Sequence, residues 1–147
     1  MINDSIKMTG ELTITVTNAD GDVTQKVTVP NLVVTTGKNA IASRMKNNDT
    51  VMSHMELGTG TTSAAAGNTA METVISGSRV ALSSTTVTSN AVAYVASFPA
   101  GTGTGAVTEA GIFNASSGGT MLCRTVFSVI NKGANDVLGI TWTITVG

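Results

Sequence analysis

Alternating apolar and polar residues dominate the first thirty positions of the chain. Residues 11–17 place Leu12, Ile14 and Val16 on one side and threonines on the other, which predicts a half-buried strand. Residues 23–29 alternate again, with Val23, Val27 and Val29 predicted to face the core and Thr24, Lys26 and Thr28 to face solvent. The Asp20-Gly21 pair between them is typical of a tight reversal. We therefore expect a β-hairpin over 11–29, ended by Pro30 because proline cannot donate to a strand ladder.

Over residues 36–47 the apolar residues no longer alternate with polar ones. This segment predicts a short helix near 37–47, the only helix of any length. Thr35 or Thr36 is placed to cap its start, and basic residues gather toward its end, as the helix dipole favours. Ile41, Ala42 and Met45 are expected to form its apolar side.

Further strands are predicted between glycine-rich or polar turns. They are expected at 51–57, at 73–88 with a break near Gly77, and at 90–98, 107–114, 120–127 and 138–146. Residues 61–70 are expected to form a long loop or one helical turn, and 99–105 a mobile loop. About eight short strands predict an all-β fold, a two-sheet antiparallel β-sandwich that is jelly-roll-like, in a single domain over 1–147. The 11–29 hairpin either belongs to it or forms an assembly arm on a neighbouring molecule.

Composition explains which surface these strands present. The chain has 25 Thr and 17 Val, while charged residues make up only 12%, about half the usual share of roughly 25%. Hydroxyl groups therefore replace charges on the predicted outer faces, which favours contact with other proteins. The net charge of −1 offers no electrostatic attraction for nucleic acid, and no stretch approaches the roughly 20 apolar residues that span a membrane.

The single cysteine, Cys123, excludes an internal disulfide and any zinc site with several cysteines. Residues 1–4 show no basic segment leading into an apolar run, so no secretory signal is expected and synthesis takes place in a cytoplasm.

Few residues suggest catalysis. His54, the only histidine, lies two positions before Glu56, and with Glu109 the two could hold a metal, although a histidine packed at a strand edge is the more ordinary interpretation. A Cys123–His54 pair would require a coincidence of the fold, and no Gly-x-Ser-x-Gly motif occurs. We expect no enzyme activity, no metal and no cofactor.

Glycines and charges in two further segments are candidates for structural or interface roles. The Gly58 and Gly101 loops lack the lysine of a phosphate-binding loop and are expected to connect strands. Glu109, close to a buried Gly111, is expected to pair with Arg79 or Arg124, or else to lie bare on the surface.

Five segments in order resemble a family of tailed-bacteriophage structural proteins. They are NLVVTTGKNAIASRM from Asn31, SHMELGTGTTSAAAGNTAM from Ser53, SRVAL from Ser78, TEAGIFNASSGGTMLCRTVF from Thr108 and INKGANDVLGITWTITV from Ile130. The resemblance covers about four fifths of the chain, from Asn31 onward, and the 11–29 hairpin lies outside it. Members of that family are described as head decoration or cement proteins and also as tail-fibre or baseplate proteins.

The resemblance implies a virion component without catalytic residues. It implies backbone roles for Gly58, Gly60 and Gly111 and a structural or contact role for Glu109. The small size of the chain favours a capsid cement protein on the outer capsid surface. The expected partners are the major capsid protein and further copies of this chain, as a dimer or trimer. Contacts are expected in the 11–29 hairpin, which carries Lys26, and in the loops near 58–67 and 99–106. The alternatives are a tail-fibre or baseplate component, which adapts or binds the host, and a small hydrolase that uses His54.

Overall fold

The computed structural model describes residues 5–147, so the expectation about residues 1–4 lies outside the described part of the chain. Nine strands and one helix follow each other in this order: β1 (Met8–Thr17), β2 (Val23–Val33), α1 (Thr35–Arg44), β3 (His54–Gly58), β4 (Val80–Ala81), β5 (Ser84–Thr88), β6 (Ala91–Phe98), β7 (Gly105–Phe113), β8 (Met121–Lys132) and β9 (Val137–Val146).

All nine strands belong to one curled antiparallel sheet, in the order β4-β3-β7-β8-β2-β1-β9-β6-β5. β2 joins its two halves, because most of the strand pairs with β1 while Leu32 and Val33 pair with Arg124 and Cys123 of β8. The all-β prediction is confirmed. The finer two-sheet, jelly-roll-like arrangement is not confirmed, since this shared strand makes the sheet continuous.

The core lies inside the curl, where apolar residues of both halves meet. Leu12, Ile14 and Val16 of β1 are almost fully buried, as the alternation over 11–17 predicts. In β9, Ile140 and Trp142 lie opposite Ile14 and Leu12 and are equally buried. The same apolar cluster includes Met55 and Leu57 of β3 and Ala110 and Ile112 of β7.

The prediction that Pro30 ends the second strand is wrong, because β2 continues through Pro30 to Val33. The carbonyl of Pro30 accepts a hydrogen bond from Thr125 Oγ1 of β8, so this residue directs its backbone polar atoms away from β1. The missing proline N–H therefore costs no hydrogen bond with β1, which is the condition under which strands accept proline.

The inward orientation predicted for Val23 is also wrong, since its side chain is 59% exposed. Val16 pairs with Gln25, but the next residue, Thr17, pairs with Val23, so one extra residue is inserted into β2. A β-bulge of this kind reverses the alternation beyond it. Gln25, opposite the inward Val16, keeps its orientation, while Val23, opposite the outward Thr17, turns outward.

Side chains close the gap where β2 and β8 diverge. The Gln25 amide donates to the Asn131 carbonyl over 2.8 Å, and its oxygen accepts from the Asn131 N–H over 3.2 Å. The Gln25 side chain therefore satisfies the backbone N–H and carbonyl of Asn131 in place of a paired strand. It also holds the end of the hairpin against the other half of the sheet.

The predicted helix exists but begins and packs differently. α1 starts after Val34, which caps it without a side-chain hydrogen bond, and the Thr36 hydroxyl donates instead to the Met121 carbonyl. The expected apolar side is wrong for Ala42 and Met45, which are exposed; only Ile41 is partly buried. The helix rests on Gly37, because a side chain there would collide with the backbone of Leu122.

The strand predicted over 73–88 is largely wrong. Only Val80–Ala81 and Ser84–Thr88 form strands, and Val74 makes a single isolated bridge to Gly58. Residues 59–79 instead form a long loop that lies against the outer face of β3, β7 and β8; we call it the cover loop. The run 61–70 lies within it and contains no helix.

The 11–29 hairpin is built into the sheet of its own chain. β1 lies between β2 and β9 and pairs with β9 along its whole length, from Met8–Val146 to Thr17–Val137. The hairpin is therefore not a free arm in this structure, and a contact between it and a neighbouring molecule stays a prediction.

Truncation of Ile14 tests whether the hairpin shares the cooperative core. We expect Ile14→Ala to lower the free energy of unfolding by about 2–5 kcal/mol, because it removes buried methyl groups and leaves a cavity. Thr15→Ala, on the opposite face of the same strand, should change it by about 0.5 kcal/mol or less. Urea unfolding measures both, and equal small effects would contradict this placement of β1.

Candidate functional site

Five charged residues meet between the cover loop and the outer face of β3, β7 and β8, and are here called the charged cluster: Glu56, Glu109 and Arg124 from the strands, and Glu72 and Arg79 from the loop. The register brings the three strand residues together, because Gly58 pairs with Glu109, Glu56 with Gly111, and Gly111 in turn with Arg124. Glu56, Glu109 and Arg124 share one face of the sheet, while Met55, Leu57, Ala110 and Ile112 alternate with them toward the core.

Glu109 is completely buried, and each of its carboxylate oxygens accepts two hydrogen bonds. Oε1 accepts from the backbone N–H groups of Gly60 at 3.0 Å and Thr73 at 2.8 Å. Oε2 accepts from the Glu72 N–H at 3.1 Å and from Arg124 Nε at 2.8 Å. A buried carboxylate is tolerated when it is paired and fully hydrogen-bonded, and here it holds the cover loop at Gly60 and at Glu72–Thr73 against β7 and β8.

Arg124 completes this arrangement from β8. Its side chain is 2% exposed, and besides Glu109 it donates to Asn68 Oδ1 at 3.1 Å and lies 3.4 Å from Glu72 Oε2. The Glu72 carboxylate also accepts from the backbone and the hydroxyl of Thr62, both at 2.8 Å. These hydrogen bonds and the Arg124 charge keep the pKa of Glu72 below its ordinary value.

Arg79 forms a separate pair at the other end of the face. Its guanidinium donates to Glu56 Oε2 at 2.9 Å and to the carbonyls of Ala115 and Gly118 in the β7–β8 turn. It also lies over the ring of Phe113, 3.7 Å from the ring centre, which is cation–π geometry. Of the two partners expected for Glu109, the structure therefore selects Arg124, while Arg79 ties the end of the cover loop to the β7–β8 turn.

The glycines singled out in the sequence form the wall around these charges. A Cβ on Gly58 would collide with Glu109 Oε1 and the Thr73 carbonyl, and one on Gly60 with Glu109 Oε1 and Glu72 Cβ. A Cβ on Gly111 would lie 2.9 Å from Met71 Sδ. The close approach of the cover loop to the sheet therefore depends on the absence of side chains at these positions.

Two catalytic hypotheses are wrong in the structure. His54 and Cys123 lie on opposite faces of the sheet, because His54 pairs with Phe113 on the outer face and Cys123 pairs with the inward Ile112. Burial raises the pKa of the Cys123 thiol, which opposes the reactive thiolate. Glu56 and Glu109, proposed with His54 as metal ligands, are each bound to a different arginine, and residues 5–147 contain no cluster of three or more His, Cys, Asp or Glu suited to a metal.

Sequence patterns did not reveal several residues that hold this region together. Ser78 is fully buried, and its hydroxyl bonds both the N–H and the carbonyl of Leu57. Lys132, 2% exposed, donates to the carbonyls of Pro99 and Asp136 and so joins two loops at the far end of the sheet. Burial lowers the pKa of Lys132. Lys132 lies beyond the strand predicted over 120–127, so no sequence pattern marked it.

The other half of the sheet presents a broad outer surface, which we call the threonine face. It consists of the outward residues of β1, β2, β5, β6 and β9, and the register aligns them in rows across the strands. One row runs Thr28, Thr13, Thr141, Val95, Ser84; the next runs Pro30, Glu11, Thr143, Ala93, Thr86; a third runs Thr9, Thr145, Ala91, Thr88.

This threonine face is uncovered and almost free of charge. Each of its side chains is exposed or half-buried. The only charged residues in its rows are Glu11 and Lys26, the latter opposite Thr15 and exposed. β2, which carries Lys26, is the neighbour of β8 in the sheet order, but only its Leu32 and Val33 pair with β8. Lys26 is therefore not part of the charged cluster, which contains the other charged residues singled out in the sequence.

An apolar pocket of about 240 Å³ lies between α1 and the ends of β1, β6 and β9. Ile41, Met52 and Ile144 line it together with Tyr94, whose pKa is raised by burial. Its lining brings no set of polar groups to one point, so the pocket offers apolar contact rather than chemistry.

No protein-family model, curated protein or solved structure matches the chain. The resemblance to phage structural proteins therefore stays a prediction. Within residues 5–147, no helix has the length and apolar character needed to cross a membrane.

Replacement of Glu109 tests the importance of the buried pair. We expect Glu109→Gln to lower the free energy of unfolding by about 3–5 kcal/mol, because the Arg124 charge stays buried without its closest partner. Glu72→Gln is the matched control and should cost much less, since the Glu72 side chain is 39% exposed. Chemical denaturation measures the free energy of unfolding of both variants. Equal decreases would show that the buried pair contributes no more to stability than the partly exposed Glu72.

Acid should loosen the cover loop through Glu72. The pKa of Glu72 is lowered in the folded state, so its contribution to stability is complete above the ordinary value of 4.5 and disappears as the pH falls below that value. Hydrogen exchange at the Thr62 amide should therefore accelerate as the pH falls below 4.5, after correction for intrinsic rates. Glu72→Gln should remove most of this extra acceleration; an unchanged profile in that variant would assign it to another group.

Proposed function

We propose that the protein is a structural virion component, a cement or decoration protein that binds the outer capsid surface and clamps adjacent major capsid subunits. The resemblance of residues 31–147 to phage structural proteins motivates this role. The threonine face supports it: five neighbouring strands present threonine, alanine and serine side chains that nothing in the described chain covers.

The chemistry of this face suits a docking surface. Threonine offers a methyl group for apolar contact and a hydroxyl for hydrogen bonds, and burying it requires no desolvation of charge. Such side chains are complementary to the surface of another folded protein, which also combines apolar and polar groups. Many modest contacts of this type, repeated over a shell, would hold each copy by avidity.

The charged cluster supports the same role through rigidity. A protein that clamps two neighbours loses less entropy on binding when its contact loops are already ordered. Glu109 and Arg124 order the cover loop from within, and this loop includes the contact region expected near 58–67. In this role Glu109 acts as an anchor for backbone N–H groups and not as an acid or base.

We also propose that the curled sheet functions as the two layers of a jelly-roll-like sandwich. The support is that residues of β1, β6 and β9 share one core cluster with residues of β3, β7 and β8, although β2 joins the halves.

Copy number in purified virions tests the proposed location. A cement protein should be present in roughly hundreds of copies on the capsid lattice, because its mechanism depends on repetition. Quantitative mass spectrometry of separated heads and tails gives this number. A few copies confined to the tail would overturn the capsid role and favour the tail-fibre or baseplate alternative.

A charge placed on the threonine face tests the docking surface itself. Thr141→Arg puts a cation in the middle of this face, at an exposed position on an internal strand, and should weaken binding to protein-depleted capsids by about tenfold or more. Ser117→Arg is the control, since Ser117 is exposed in the β7–β8 turn outside every predicted contact region. Co-sedimentation measures both, and equal binding of the two variants would exclude the threonine face as the docking surface.

A further inference from the structure

The two edges of the sheet are protected to very different extents. β4, at one edge, is only two residues long and follows Arg79, which is tied to Glu56. β5, at the other edge, runs over five residues, Ser84–Thr88, and all five are exposed. Proteins usually block a free edge with charge, proline, a bulge or extreme shortness.

β5 has none of these protections. Residues 83–90 read SSTTVTSN and contain neither a charge nor a proline. Its pairing with β6 is regular from Ser84–Val95 to Thr88–Ala91, so no bulge bends it away. Every second residue of such an edge strand directs its backbone N–H and carbonyl away from the sheet, ready to pair with another strand.

The sequence of this edge complements itself. When two copies of β5 pair antiparallel with full overlap, Thr86 lies opposite Thr86, Thr85 opposite Val87 and Ser84 opposite Thr88. No like charges meet in this register, and threonine–threonine and threonine–valine neighbours are favourable cross-strand pairs. Val87, which is 69% exposed, would gain a neighbour on its free side.

We propose that β5 is an interface through which two copies of this chain pair edge to edge, with a two-fold axis at Thr86. An isologous contact of this kind closes at two copies, so it makes a dimer and not a trimer or a filament. The antiparallel pairing extends the sheet from nine strands to eighteen. This inference does not depend on the capsid role.

The geometry has one consequence for the threonine face. The two-fold axis of an antiparallel strand pair is perpendicular to the sheet, so outward residues of both copies stay on the same side. The rows that end at Ser84, Thr86 and Thr88 would therefore continue directly into the second copy. Only this consequence rests on the proposed function, because it doubles the width of the proposed docking surface.

Self-association of the full-length chain tests the proposal. The contact joins two short strands and is small, so we expect a monomer–dimer equilibrium in sedimentation velocity as the protein concentration rises from about 1 μM to about 1 mM. Thr86→Lys places two ammonium groups opposite each other at the axis and should weaken dimerisation by about tenfold or more. Thr141→Lys, an exposed threonine on the internal strand β9, is the matched control and should leave the equilibrium unchanged.

Cysteine cross-linking tests the register independently of affinity. Thr86→Cys should form a disulfide between copies on mild oxidation, because directly opposed residues have Cβ atoms about 4.5–5.5 Å apart. Ser84→Cys should not, because in this register it lies opposite Thr88 of the other copy. The native Cys123 is buried and does not compete.

Three results would overturn the proposal: a monomer throughout the concentration range with no Thr86→Cys cross-link, a dimer that Thr86→Lys leaves intact, or a cross-link that forms equally well at residue 84. Thermal unfolding of Thr86→Lys checks the fold, which should be unaffected since the substituted side chain is exposed. Loss of capsid binding in Thr141→Arg with normal dimerisation would concern the proposed function alone.

Discussion

The buried pair of Glu109 and Arg124 determines how one half of this molecule is organised. Its carboxylate accepts three backbone N–H groups from the cover loop and one from the guanidinium, so a long connection without regular structure is held against the sheet. The burial of two charges is unfavourable by itself and is compensated only when every partner is present. Gly58 and Gly60 are part of the same constraint, because any side chain at either position would occupy the space of the carboxylate.

The outer faces of the two halves of the sheet differ in whether the chain itself covers them. Over β3, β7 and β8 the chain covers its own sheet and places charges in the covered space, where they are paired. Over β1, β6 and β9 the outer face stays open and carries almost no charge. Hydroxyl groups keep that open face compatible with water while they leave it easy to dehydrate against another protein. The shortage of charged residues in the composition is therefore most pronounced on this open face.

The sequence predicted the parts of the fold that depend on nearest neighbours. Alternation in 11–17 identified the buried residues of β1, because in a strand successive side chains point to opposite faces. The same rule failed at Val23, where one inserted residue reversed the orientation, and no composition signal marks such a bulge. It failed again over 73–79, which belongs to the cover loop: there Thr73 hydrogen-bonds Glu109, while Ile75 and Ser78 hydrogen-bond Leu57.

Some members of the candidate site could be predicted from the sequence, but the contacts between them could not. Glu109, Arg79 and Arg124 stood out as charges within apolar strand patterns, yet the choice between the two arginines depends on the pairing of Gly111 with Arg124. The bonds from Gly60 and Thr73 to Glu109 span 49 and 36 positions of the chain. No periodicity relates residues so far apart, so Glu72 and Ser78 were not recognised.

The pairing of β1 with β9 has a consequence for how the molecule assembles itself. Met8 lies beside Val146, so the strand at the centre of one half acquires its second neighbour from residues more than a hundred positions away. Until β9 is in place, the apolar side of the first hairpin has no complete sheet around it. Folds dominated by such distant pairings form slowly, over roughly milliseconds to seconds. The reason is that closing the long intervening chain costs conformational entropy before the contacts form. The early hairpin is therefore the segment that most needs shielding while the chain is being made.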